Sequence, residues 1–135
     1  MNKNGWSAAP KLSNQYLRLL EGEGKDGTEG LKSVVTDMGG ASDYSIRSNE
    51  KFPLKKDQLL TISYWAKTAS GTRRVVPWIQ ESDSQKWMNL GDHELSTSWK
   101  YFSETVTVST LSSNNYQLKF RGYEKGTLFL DNVQI

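Results

Sequence analysis

The sequence predicts an all-β fold, a β-sandwich or jelly roll of antiparallel strands. Three observations predict it. Apolar residues recur with period two along several segments. Those segments are separated by turn chemistry: "KKDQ", "TASGT", "SSNN" and "YEKG". No segment carries a convincing apolar stripe at helical spacing. The chain has 135 residues, which suits one domain, 1–135, around one core.

Strands are expected near 5–8, 15–20, 30–37, 43–48, 58–67, 73–81, 86–95, 99–108, 114–122 and 127–135. "SNQYLRLLEG" comes nearest to a helix, yet Tyr16, Leu17 and Leu19 also fit a strand. "LTISYWAK" sends Leu60, Ile62, Tyr64 and Ala66 to one face and Thr61, Ser63, Trp65 and Lys67 to the other. "YFSETVTVS", "NYQLKFRGY" and "TLFLDNVQI" alternate in the same way. The Gly-rich 21–30, "EGEGKDGTEG", lacks the spacing and following helix of a phosphate cradle and reads as a solvated surface loop. "MNKNGW" reads as a domain boundary, with any secretion signal expected outside this stretch.

Composition excludes several function classes. The net charge is +2, and its basic residues are scattered rather than massed as in a nucleic-acid binder. With no cysteine, neither a disulfide framework nor a thiolate metal site is open to it. No apolar run approaches the roughly 20 residues of a membrane span. The one histidine, His93 in "GDHEL", has no nucleophile elbow and no second histidine, so neither a triad nor a histidine metal site forms around it. It is expected at the surface or a strand edge, with Asp92 and Glu94 on a solvated face. Glu81 and Glu94 form no evident catalytic pair.

"VPWIQESDSQKWMNL" (76–90) holds two tryptophans around a polar run. In 73–81, Val75, Pro77 and Ile79 form a wholly apolar set, whereas Arg74, Val76, Trp78 and Gln80 mix an indole with polar heads. If the apolar set is core, Trp78 is exposed; the opposite register buries Val76 and Trp78. Trp87 stands among Gln85, Lys86 and Asn89, at a rim or loop position.

The second half of the chain resembles carbohydrate-binding modules of the cellulose- and xylan-binding jelly-roll type, families 4, 9, 16 and 22. The phrases that carry this run in order: "FPLKKDQLLTISYWAKTASGT", then "STSWKYFSETVTV", then "GTLFLDNVQI". They parallel the family's "Y-x-L-S-F-W-V-K-A", "W-x-x-x-x-x-x-F-x-V" and "L-Y-L-D-D-V-x-L". Trp65-Ala66-Lys67, Trp99 with Tyr101 and Phe102, and Leu128 to Val133 are the matching positions. The resemblance covers roughly 30–135. The usual opening "N-G-x-F-E" is replaced by "NKNGWS", a departure that fits a trimmed module or one inserted in a xylanase.

A sugar offers an apolar C–H face and a rim of hydroxyls, so its site pairs aromatic planes with forked polar side chains. In the modules resembled, that site is a groove across the outer face of one sheet. The residues expected there are Trp78, Trp87, Gln80, Arg47, Glu81, Gln117 and Arg121, with Tyr44 as the opposing aromatic. Lys119 shares the outward register of Gln117 and Arg121, whereas the register of Tyr44 is ambiguous. Trp65 and Trp99 match packing positions, and Trp6 is expected to pack at the edge. The resemblance further implies a structural calcium, with Asp131 matching its acidic ligand but no counterpart to the usual N-terminal glutamate.

The function expected from the resemblance is that of a secreted or cell-surface, monomeric, non-catalytic module. It would bind β-1,4-linked plant polysaccharide, xylan or xylo-oligosaccharides first and β-glucan or amorphous cellulose next, and target an attached glycoside hydrolase. From other classes, a jelly-roll polysaccharide lyase and a single-stranded nucleic-acid binder are the alternatives.

Overall fold

The computed structural model describes residues 5–8, 16–27, 29–109 and 113–135. Residues 1–4 of the opening, residue 15 of the second expected strand and Ser112 of "SSNN" lie outside the described residues. Twelve strands follow in order: β1 (Trp6–Ala8), β2 (Leu17–Glu23), β3 (Glu29–Val35), β4 (Tyr44–Ser48), β5 (Phe52–Leu54) and β6 (Leu59–Thr68). Then come β7 (Arg73–Glu81), β8 (Trp87–Asn89), β9 (His93–Leu95), β10 (Lys100–Thr107), β11 (Ser113–Gly122) and β12 (Gly126–Gln134). The fold is an all-β sandwich, as the sequence predicts. Strand β5 opens the "FPLKKDQLL" phrase, and the single strand expected at 86–95 is two short ones.

A seven-stranded sheet runs β1-β4-β11-β7-β8, with β5 on β11 and β9 on β7. The five-stranded sheet runs β10-β6-β12-β3-β2. Every pairing is antiparallel. Alternation sets the core. Strand β6 buries Leu60, Ile62, Tyr64 and Ala66, and β11 faces it with Tyr116, Leu118 and Phe120. Each buried side chain of this size contributes roughly 1.5–3 kcal/mol.

Glycine and positive φ close the turns. Gly71 (φ 61°), Gly126 (φ 138°) and Asp57 (φ 69°) sit in or beside three of the four expected turn segments. The stretch expected as a solvated surface loop is in part paired strand: in the β2–β3 hairpin Gly22 stands opposite Gly30 and Glu23 opposite Glu29. Gly30 is buried there, because a Cβ would lie 3.0 Å from the Gly24 Cα.

Tyr44 also departs from expectation. Its ring is 1% exposed and belongs to the core. It stands opposite Gly122, and a Cβ on that glycine would fall 2.4 Å from the Tyr44 Cζ. The glycine leaves the space that the ring fills, so Tyr44 cannot serve the outer face.

His93 is the third correction. It is 8% exposed and stacks on Phe102 with centroids 4.5 Å apart. Its Nδ1 lies 2.6 Å from the Tyr64 hydroxyl and its Nε2 lies 2.8 Å from Glu104 Oε1. Burial, and then the charge of Glu104, push the Tyr64 phenol well above its ordinary range. Tyr64 therefore keeps its proton and shares a hydrogen bond with Nδ1, while Nε2 shares one with the Glu104 carboxylate. The histidine is surrounded by core because alternation along β9 turns it inward while Asp92 and Glu94 face out.

Burial pushes the Tyr44 phenol from 10.0 up to about 12. A raised folded value favours the neutral form, so this stabilisation is complete below pH 10 and is lost as pH rises towards 12. The shift corresponds to roughly 3 kcal/mol. Urea midpoints taken from pH 8.5 upward should fall through this window, and fall less in Tyr44→Phe. Equal slopes for both proteins would refute the assignment.

Candidate functional site

The outer face of the seven-stranded sheet is built by the same alternation that builds the core. Strand β11 points Gln117, Lys119 and Arg121 outward between its buried residues. Strand β7 places Val75 and Ile79 in the core and leaves Val76 and Trp78 out of it, so the register with an outward Trp78 is the one adopted. Cross-strand pairing then assembles rows. One runs Gln117–Gln80–Trp87. The next runs Arg47–Lys119–Trp78–Asn89, and the third Ser45–Arg121–Val76.

A depression of about 420 Å³ opens beside these rows. Three amides line it, Gln80, Gln85 and Gln117, together with the Ser82 hydroxyl. The charged side chains of its lining are Arg47, Lys51 and Lys119, with no carboxylate and no aromatic ring among them. Gln80 is held from both ends: its Nε2 donates to Gln85 Oε1 at 3.0 Å, and its Oε1 accepts Lys119 Nζ at 2.6 Å. Gln117 Nε2 donates to the Ser48 carbonyl at 2.9 Å. The Gln117 Oε1 receives no donor among the described residues and stays open as an acceptor.

Trp78 faces outward but is not exposed as expected. It is 8% exposed. The Arg121 guanidinium covers its ring at 4.4 Å and the Lys119 ammonium at 4.8 Å. Such cations are held by the ring quadrupole while their aliphatic stems cover the indole. The Trp78 Nε1 is buried without an acceptor among the described residues. Trp87 meets Trp78 edge-on, with centroids 6.4 Å apart and planes at 86°. Trp87 itself is 55% exposed, and it is the open aromatic plane of this face.

The polar run between the two tryptophans is an ordered hairpin turn. Gln85 takes φ 62°, and its backbone N–H donates to the Glu81 carbonyl at 3.0 Å. Glu81 is not in the depression. It follows the inward series of Val75, Pro77 and Ile79, and its carboxylate accepts the Ser84 hydroxyl within the turn. Of the residues expected at the site, the structure therefore brings together Trp78, Trp87, Gln80, Gln117, Arg47 and Arg121. Tyr44 and Glu81 belong elsewhere. Gln85, Ser82 and Lys51 were not foreseen, because turns rather than alternation deliver them.

The two tryptophans assigned to packing do pack, but on the outer face of the five-stranded sheet. Trp65 lies under Lys25 Nζ at 3.9 Å and beside Tyr101 at 5.4 Å. Trp99 meets Phe129 at 6.3 Å, with Lys67 over both rings. Trp6 packs against Phe120 at 5.7 Å, at the sheet edge as expected.

Asp131 is 2% exposed, and both its oxygens accept backbone N–H groups, Oδ2 from Lys25 at 3.0 Å and Oδ1 from Asn132 at 2.9 Å. Among the described residues no group of three or more acidic or histidine side chains gathers around it. Calcium takes roughly six to eight oxygen ligands, and among the described residues the Asp131 carboxylate already serves two backbone donors.

No family model matches the sequence, and no curated protein matches it. Solved structures do match. The CBM22-1–GH10 modules of Clostridium thermocellum endo-1,4-β-D-xylanase 10B, complexed with xylohexaose, align at TM-score 0.74 and 17% identity. The match covers 98% of this chain and 26% of that one, so this chain spans about a quarter of the xylanase chain. The CBM22-1 xylan-binding domain of Paenibacillus barcinonensis Xyn10C aligns at TM-score 0.68 and 13% identity, over 96% of this chain and 83% of that one. The chain has the fold of a carbohydrate-binding module. The same fold aligns at TM-score 0.69 and 10% identity with the enzymatically active domain of bacteriophage CBA120 tailspike protein 4, over 98% of this chain and 19% of that one. At such identities the matches establish architecture, and the argument for function rests on the site.

Removing the Asp131 acceptor orphans two backbone donors, at about 1–3 kcal/mol each. Asp131→Ala should therefore lower the melting temperature with or without a chelator. The wild type should melt at the same temperature in millimolar calcium and in EDTA. A rise in calcium would contradict the hydrogen-bonding role given to Asp131, since a resident ion stabilises by mass action.

Proposed function

We propose that this chain is a non-catalytic carbohydrate-binding module whose site is the outer face of the seven-stranded sheet. The observation that carries the reading is Trp87, 55% exposed at the end of the Gln117–Gln80–Trp87 row and beside a depression rich in amides. An open indole stacks on the C–H face of a pyranose, and amides and guanidinium groups satisfy its hydroxyls. One exposed ring on this face among the described residues favours a single soluble or amorphous chain over a flat crystalline surface. The ligand class proposed is β-1,4-linked plant polysaccharide: xylan and xylo-oligosaccharides, then β-glucan and amorphous cellulose. A xylan-binding domain and a xylohexaose complex among the proteins of this fold support that order. Targeting of a covalently attached glycoside hydrolase outside the cell is part of the same proposal.

The lone histidine is tied into the core between Tyr64 and Glu104, which leaves no free general base of that kind at the face. This favours binding over a lyase reaction. Roofing of Trp78 and a net charge of +2 disfavour a single-stranded nucleic-acid platform.

Affinity electrophoresis against xylan, mixed-linkage β-glucan and amorphous-cellulose derivatives tests the reading. At least one polysaccharide should retard the wild type. Trp87→Ala should weaken that retardation about tenfold, since one stacked ring contributes on the order of 1 kcal/mol. Its melting temperature should stay near wild type, because the ring is largely in solvent. No retardation by any polysaccharide would sink the proposal.

A further inference from the structure

The lining of the depression is unusual for a neutral sugar. Arg47 and Lys119 stand directly opposite each other across the β4–β11 pair. Like charges in that relation destabilise a sheet. No carboxylate lies within ion-pair distance of either, or of Arg121 or Lys51, among the described residues. Elsewhere Arg74 holds Asp92 through two contacts of 2.7 and 2.8 Å. Arg47 contributes only its Nε to the protein, at 3.2 Å from Ser7 Oγ. Its terminal guanidinium nitrogens are without a protein acceptor among the described residues.

We propose that this depression selects acidic polysaccharide, taking the carboxylate of a uronic-acid residue between Arg47, Lys51 and Lys119 while Trp87 stacks on the chain. The inference rests on the carbohydrate-binding reading and narrows it to a substrate class. A carboxylate there converts the repulsion between the facing cations into two attractive, charge-assisted contacts. The same ligand offers hydroxyls to Gln85 and to the open Gln117 Oε1. Burial first, and then the charges of Arg47 and Arg121, depress the Lys119 ammonium below its ordinary range. Glu50, Asp83 and Glu81 are the nearest acids in sequence to the lining residues Lys51, Ser82 and Gln80, and none of the three lines the depression.

The test is calorimetric titration with a xylo-oligosaccharide carrying one glucuronic-acid branch and with its carboxyl-reduced, neutral counterpart. The acid form should bind about tenfold tighter at low salt, and the ratio should shrink at high ionic strength as screening grows. Arg47→Gln and Lys51→Gln should each lower the acid-to-neutral ratio severalfold. Both residues are partly or fully exposed, so folding should survive, and Lys119→Gln is then read alongside with its melting temperature. Equal affinity for the two oligosaccharides would overturn acid selection and leave carbohydrate binding intact. Binding of neither would overturn both. Tighter binding of dextran sulfate or of a single-stranded oligonucleotide would show a general anion surface and overturn the carboxylate assignment.

Discussion

The pleat of β11 is the constraint on which both the core and the site depend. This strand pairs with β4 and β5 on one side and with β7 on the other. Its inward residues, Tyr116, Leu118 and Phe120, fill the space between the sheets. Its outward residues, Gln117, Lys119 and Arg121, supply one member of every row on the candidate face. Because side chains alternate strictly, the packing of the first set fixes the aim of the second. A slip of one residue would bury two cations and expose a tyrosine and a phenylalanine, so the register of the site is protected by the energy of the core.

The same period explains what was readable beforehand. In β7 one alternate set is wholly apolar, and that alone chose the face of Trp78. Strand positions followed from alternation bounded by glycine and charged turns. Two of the site expectations were mutually inconsistent, and the sequence already contained the reason. Tyr44 and Arg47 are three residues apart on one strand, so they point to opposite faces. Gln80 and Glu81 are neighbours and do likewise. What was hidden is long-range. Trp78 is covered by Lys119 and Arg121, and Lys119 bonds to Gln80 across a separation of 39 residues. Nothing near Trp78 in the chain announces that roof. Gln85 and Lys51 enter the depression through turn geometry, which period-two reasoning does not reach.

His93 shows how flanking charge disguises a core position. Asp92 and Glu94 make the segment look solvated, yet alternate residues of a strand share no face with the one between them. The inward histidine completes a polar chain from Tyr64 to Glu104 inside an aromatic cluster. A fully satisfied chain of this kind gives the core directional contacts that apolar packing lacks. It also commits the one histidine of the molecule to architecture.

The edge-on pair of Trp78 and Trp87 has an optical consequence. One indole is sealed beneath cations and the other stands in solvent, with 6.4 Å between their centroids. A ligand settling on the exposed ring would therefore alter the surroundings of one indole directly and of its partner through that edge, as a change in the summed emission of the five tryptophans of the chain.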